Sequence, residues 1–164
     1  MKMRISHILL LGLPWLIPTF SPAQEKCPWL TEATARGILG GAITVQVNLK
    51  DARNGVCDFA RHLGPVVVEL QIAVNLMTDI PRQFPTYVAQ CPAKSAALPA
   101  IGNAAVICSV QDKRRYAEKI VGRVRDQAFV VSVDATGPDD PAMTQKIRRE
   151  KAQLVAEQVA GTLF

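Results

Sequence analysis

From Ile43 onward the chain alternates. Ile43, Val45 and Val47 are apolar and Thr44, Gln46 and Asn48 between them are polar, the two-residue period of a strand with one buried face. Asn54-Gly55 supplies a hairpin signal and predicts an antiparallel return over Val56 to Arg61, with Cys57 and Phe59 pointing inward. After a second turn at Gly64-Pro65, Val66, Val68, Leu70, Ile72 and Val74 alternate with Val67, Glu69, Gln71 and Ala73, which predicts a central strand. Further on, Gly102-Asn103 admits the chain to a strand over Ala104 to Val110, and Gln111 to Arg115 forms a charged turn. Tyr116 to Val124 and Ala128 to Ala135 then flank Arg125-Asp126-Gln127 as a second hairpin, with Phe129, Val131 and Val133 marking one face.

Three segments read as helix. Thr31 caps a short one through Leu39, stopped by Gly40-Gly41, with Trp29, Ala35, Ile38 and Leu39 facing the core. Asp79-Ile80-Pro81 opens a second that reaches Gln90, although Pro85 allows its start to slip to Phe84. Pro92 to Asn103 reads as a loop. For the last helix Asp140 is the expected cap and Pro141 the first helical residue. Met143, Ile147, Leu154, Val155 and Val159 make its apolar stripe, opposite Lys146, Arg149, Glu150, Gln153 and Glu157, and Lys151 and Gln158 interrupt it. The expectation is an α+β fold: a mainly antiparallel sheet of about five to six strands, with an N-terminal short helix, a middle helix and a C-terminal amphipathic helix packed on it. A single domain over residues 24–164 accommodates all of these elements.

Residues 1–23 stand apart. Lys2 and Arg4 precede an apolar centre from Ile8 to Leu16, and Ser21-Pro22-Ala23 offers small residues for cleavage, the pattern of a signal peptide. Pro14 and Pro18 interrupt a run already short of the ~20 residues a membrane span needs, so no stable transmembrane segment is expected after cleavage. Lipidation at Cys27 is disfavoured by Gln24-Glu25-Lys26 before it. The chain is therefore expected to be exported, periplasmic or secreted.

Cleavage removes two of the 19 Lys and Arg and none of the 14 Asp and Glu, leaving 17 against 14, or +3. That balance is too mild to indicate a nucleic-acid partner. All four cysteines survive, and an even number in an exported chain implies two disulfides. Three connectivities are open; Cys27 with Cys57 and Cys91 with Cys108 is preferred because each joins sequence neighbours across one segment. The absence of CxxC and of paired histidines argues against a zinc site or a thioredoxin-like centre.

Candidate chemistry is sparse. His62 is the single histidine of the mature chain and has the pKa range of a general base, but no serine, cysteine or carboxylate motif is tied to it, and an exposed strand-end residue is expected. Asp139 and Asp140 are adjacent, and capping explains Asp140 better than metal binding. Gly102 belongs to no nucleotide-binding pattern. No catalytic residue, metal or cofactor is expected. The feature that stands out is charge: Lys113, Arg114, Arg115, Lys119, Arg123 and Arg125 fall within thirteen residues. Alternation places Lys119, Arg123 and Arg125 on one side of a strand, a candidate face for an anionic partner or else an ordinary solvated face.

The Cys-Pro-Trp-Leu-Thr opening, the Gly-Val-Cys-Asp-Phe strand, Ile-Gly-Asn-Ala-Ala-Val, Gly122-Arg-Val-Arg-Asp-Gln-Ala-Phe129 and the closing Val-Ala-Gly-Thr-Leu-Phe together resemble small exported bacterial proteins, and the element order is similar to the PsbP-like αβα sandwich. That resemblance implies an accessory or binding role and carries over no functional residue. The leading expectation is a non-enzymatic exported domain docking an anionic envelope component or a protein. The alternatives are a carrier for a small apolar ligand between sheet and helices, with Val68, Leu70 and Phe129 lining its cavity, and an enzyme without a recognisable motif.

Overall fold

The structure is a computed structural model, and it describes residues 26–91, 94–112, 115–136 and 143–164. The leader and the Asp140-Pro141 helix start lie outside these described residues. The elements are α1 (Glu32–Leu39), β1 (Thr44–Asp51), β2 (Asn54–Leu63), β3 (Val66–Leu76), α2 (Ile80–Val88), β4 (Ala96–Ala97), β5 (Ala104–Asp112), β6 (Arg115–Val124), β7 (Gln127–Thr136) and α3 (Gln145–Leu163).

The strands make one antiparallel sheet of seven, in the order β1-β2-β3-β7-β6-β5-β4. One meander, β1 to β3, leads through α2 to the far edge. A second, β4 to β7, returns to pair β7 with β3. The seventh strand is β4, two alanines that pair with Val106 and Ile107 inside the stretch expected to be loop; so short a run carries no readable period.

Sheet register sorts the side chains. Phe129, Val131 and Val133 on β7 share a face with Val74, Ile72 and Leu70 on β3 and with Gly122 and Ile120 on β6. α1 and α3 cover that face and complete the core. α2 lies on the other: Phe84 stacks under Arg123, and Cys91 reaches Cys108, both on the outward alternation of β6 and β5. The outward side of β1 to β3 remains partly open, with Gln46, Asn48, His62 and Gln71 exposed.

The helix ends follow local chemistry. Thr31 accepts from the Thr34 amide at 3.1 Å, and Gly40 takes φ 78° at the other end of α1, a left-handed value that glycine adopts without steric cost. The last carbonyls of α1 also receive two cations: Arg61 donates to the Gly40 oxygen at 3.0 Å and Lys151 to the Ile38 oxygen, both at the negative end of the helix dipole. Lys151, an interruption of the apolar stripe in sequence, thus has a docking role. Burial, followed by the Arg61 charge, pushes its pKa below the usual lysine value.

Two expectations are corrected. The first hairpin turns at Ala52-Arg53 rather than at Asn54-Gly55, because the Asp51 carboxylate closes the turn by accepting from the Arg53 amide at 2.7 Å and from the Asn54 side chain at 2.8 and 2.9 Å. α3 buries Ala152, Val155, Ala156, Val159, Ala160 and Leu163, whereas Leu154 is 56% exposed. Residues 152, 156 and 160 recur every fourth position, and alanine there lets the helix approach the sheet. Its cap is Thr144, which accepts from the Ile147 amide at 3.4 Å.

The Ala52-Arg53 turn is tied to the β6–β7 turn by Arg53 and Asp126, 2.5 Å apart. The hydrogen bond from Arg53 holds the Asp126 carboxyl below its ordinary range. A carboxyl whose folded pKa is lowered stabilises fully above its unfolded value of about 3.9 and loses that contribution as pH falls through the folded value. Asp126→Asn should therefore shrink the fall in melting temperature between pH 5 and pH 2; an unchanged fall would show that this pair plays no part in acid stability.

Candidate functional site

The basic residues do not form one patch. Lys119 and Arg123 face outward on β6, but Arg123 is engaged: its guanidinium lies 5.8 Å from the Phe84 ring centroid and donates to the Arg125 carbonyl at 2.8 Å. Strand alternation ends at Val124, so Arg125 sits in the turn with φ 52°, its amide held by the Asn103 side chain at 2.6 Å and its guanidinium over Phe164 at the end of α3. The structure brings Lys119 and Arg123 to one face and takes Arg125 elsewhere. Arg115 pairs with Asp134 and with Glu69, the latter at 3.0 Å, so its charge is compensated within the sheet. Lys113 and Arg114 lie outside the described residues.

The other predicted residues are simply located. His62 is exposed near the end of β2. Cys27–Cys57 and Cys91–Cys108 are both bonded, and among the described residues no cysteine is free. Val68, Leu70 and Phe129 are fully buried in the packed core.

A more singular arrangement lies where β5 and β6 pass under the start of α3. The inward alternation of β6 runs Tyr116, Glu118, Ile120, Gly122, Val124, so a carboxylate occupies a core-facing position. Glu118 is 1% exposed. Its cross-strand neighbour on β5 is Ser109, whose hydroxyl donates to Glu118 Oε1 at 2.5 Å. Gln145, the first residue of α3, donates to the same oxygen at 3.1 Å and to the Ser109 hydroxyl at 3.0 Å. Glu118 Oε2 is sealed from solvent without a hydrogen bond, its nearest cation the Arg149 guanidinium at 4.0 Å.

Arg148 completes the wall. It is 9% exposed, its guanidinium lies 5.8 Å from the Tyr116 ring centroid and donates to the Met143 carbonyl, and its Nε is buried without a partner. Beside these groups is a cavity of about 520 Å³ lined by residues that include Ser109, Gln111, Tyr116, Glu118, Gln145 and Arg148. Leaving a polar atom buried and unpaired costs about 1–3 kcal/mol, more for a charged group, so two such atoms of opposite charge beside one cavity call for partners. The arrangement offers an acceptor at Glu118 and donors at Arg148 and Gln145, which suits recognition of a polar molecule. Sequence reasoning missed it, although the signal was present: Glu118 has the same parity as Ile120 and Val124.

A second recess of about 770 Å³ lies between α1 and the sheet edge, lined by Leu30, Ala33, Val45 and Phe59 together with Lys26, Glu32 and Arg36. Among the described residues no group of three or more His, Cys, Asp or Glu is placed to hold a metal ion, and no helix is long and apolar enough to cross a membrane. Compared with known proteins, the chain matches no family model, no curated protein and no solved structure.

Proposed function

We propose that this chain is an exported, non-catalytic binding domain that recognises a polar ligand in the cavity beneath the start of α3. The observation that carries the reading is Glu118, a carboxylate at a core position of the sheet with one oxygen fully engaged and the other without a hydrogen bond. Burying a charge without full compensation is destabilising, and binding sites are where such groups gather. The two disulfides fit an oxidising compartment, in keeping with the leader. The resemblance to PsbP-like accessory proteins points the same way. Docking through the basic strand has less support, because Arg123 and Arg125 are engaged within the molecule and on different elements.

The reading is tested by amide chemical-shift mapping of the oxidised protein against a panel of small polar fragments. Saturable shifts should gather at Ser109, Gln111, Glu118, Gln145 and Arg148, and Glu118→Gln should weaken the binding of those fragments that carry a hydrogen-bond donor while the fold persists. A panel that leaves those amides unmoved would rule the cavity out. A second reading, a carrier of a small apolar ligand, rests on the recess at α1, whose apolar lining includes Leu30, Val45 and Phe59. Shifts gathered there with apolar fragments would favour it.

A further inference from the structure

On the strength of that reading, we infer that the ligand of the Glu118 cavity is a small zwitterion, its ammonium group bound by Glu118 and its carboxylate by Arg148 and the first turn of α3. The two ends of the site differ in sign. At one, Glu118 Oε1 is occupied by Ser109 and Gln145, so Oε2 remains for a donor from the ligand. That oxygen is sealed, so binding must open a path to it beside Arg149, whose guanidinium lies 4.0 Å away on a side chain that is 42% exposed.

At the other end stands Arg148, whose Nε lacks a partner, beside Thr144 and Gln145 at the N-terminus of a 19-residue helix. A helix N-terminus favours negative charge, and a guanidinium pairs well with a carboxylate. Neither a simple anion nor a simple cation suits both ends: an anion is repelled by Glu118, and a cation by Arg148. A molecule carrying both charges satisfies both. The Tyr116 ring lies under Arg148, and Tyr116 and Glu118 are successive inward positions of β6, about 7 Å apart along a strand. The ligand's charges are therefore separated by a short chain.

The test uses the full mature chain with its disulfides intact and three probes: 4-aminobutyrate, and its two half-molecules, butylamine and butyrate. By amide-shift titration 4-aminobutyrate should bind at least about tenfold more tightly than either half-molecule, a difference of about 1.4 kcal/mol. Glu118→Gln should reduce its affinity to the level of butyrate, and Arg148→Met, which keeps the aliphatic stem, to the level of butylamine. The wild-type comparison stands even if a variant fails to fold. Equal binding of a half-molecule would overturn the zwitterion. So would cavity shifts produced by neutral polar fragments but by none of the three probes, an outcome that leaves the cavity itself standing as a site. If no fragment and no probe moves the cavity amides, the site fails and the zwitterion with it. A crystal structure at saturating 4-aminobutyrate with only an ordered water on Glu118 Oε2 would overturn the inference as well.

Discussion

Gly122→Ala should cost about 3 kcal/mol, the upper end of what one extra methyl does in a packed core. Gly122 sits on the inward face of β6 directly opposite Phe129, which closes over it. A Cβ built at Gly122 would lie 2.6 and 2.8 Å from Cε1 and Cε2 of that ring, and nearer still to Cζ. The ring cannot step aside, because Phe129 is fully buried among core residues of both helices and the sheet. For a chain of this size the melting temperature should fall by about 10 °C. The double variant Gly122→Ala, Phe129→Leu should destabilise less than the sum of its parts, since the smaller side chain makes room for the methyl. A fall of less than about 3 °C for the single variant, near 1 kcal/mol, would show that the strands separate easily and that the packing is looser than described.

The disulfides carry the other large effect. Cys27–Cys57 closes a separation of 30 residues and Cys91–Cys108 one of 17. In the loop-entropy account each contributes about 3 to 4 kcal/mol by restricting the unfolded chain. The first ties the segment leading into α1 to β2; the second ties the segment after α2 to β5 on the opposite face. Their losses should be nearly additive, because they share no partner. Replacing all four cysteines with serine should remove about 7 kcal/mol, comparable to the whole stability of many domains. That variant should be largely unfolded at 37 °C, as read by loss of near-ultraviolet dichroism, while each single-bridge variant remains folded with a lower denaturant midpoint. A four-serine variant with an unchanged midpoint would place the stability in the core alone.

Much of the architecture was legible because alternation is a strong signal. Val66 to Val74 carries it over nine residues and became β3, and on β6 the face expected from Ile120 and Val124 is the buried one. Of the three connectivities left open, the one preferred for joining sequence neighbours is the one formed. What failed did so where the physical cause is not periodic. The first turn is decided by the Asp51 carboxylate, a local hydrogen-bonding choice that outweighs Asn-Gly. The buried side of α3 is decided by alanines, whose value lies in close approach and which weigh little on a hydrophobicity scale. Arg125 left the basic face because the strand ended one residue before it. Glu118 was passed over for a different reason: a charge run draws attention to what is exposed, whereas this site rests on a charge placed where the alternation requires an apolar residue.

The sheet order has a consequence for how the chain is made. β7, Gln127–Thr136, is the last strand to be synthesised and stands fourth of seven, with β3 on one side and β6 on the other. Until it emerges, β1 to β3 and β4 to β6 share no strand pairing, and α3, which covers β6 and β7, follows later still. The β3–β7 ladder joins Val67 to Thr136 and Leu76 to Gln127, so its closure spans a large part of the chain and is slow on entropic grounds. The keystone of the sheet thus arrives after every strand it joins, and the two meanders can become one sheet only once it has been made.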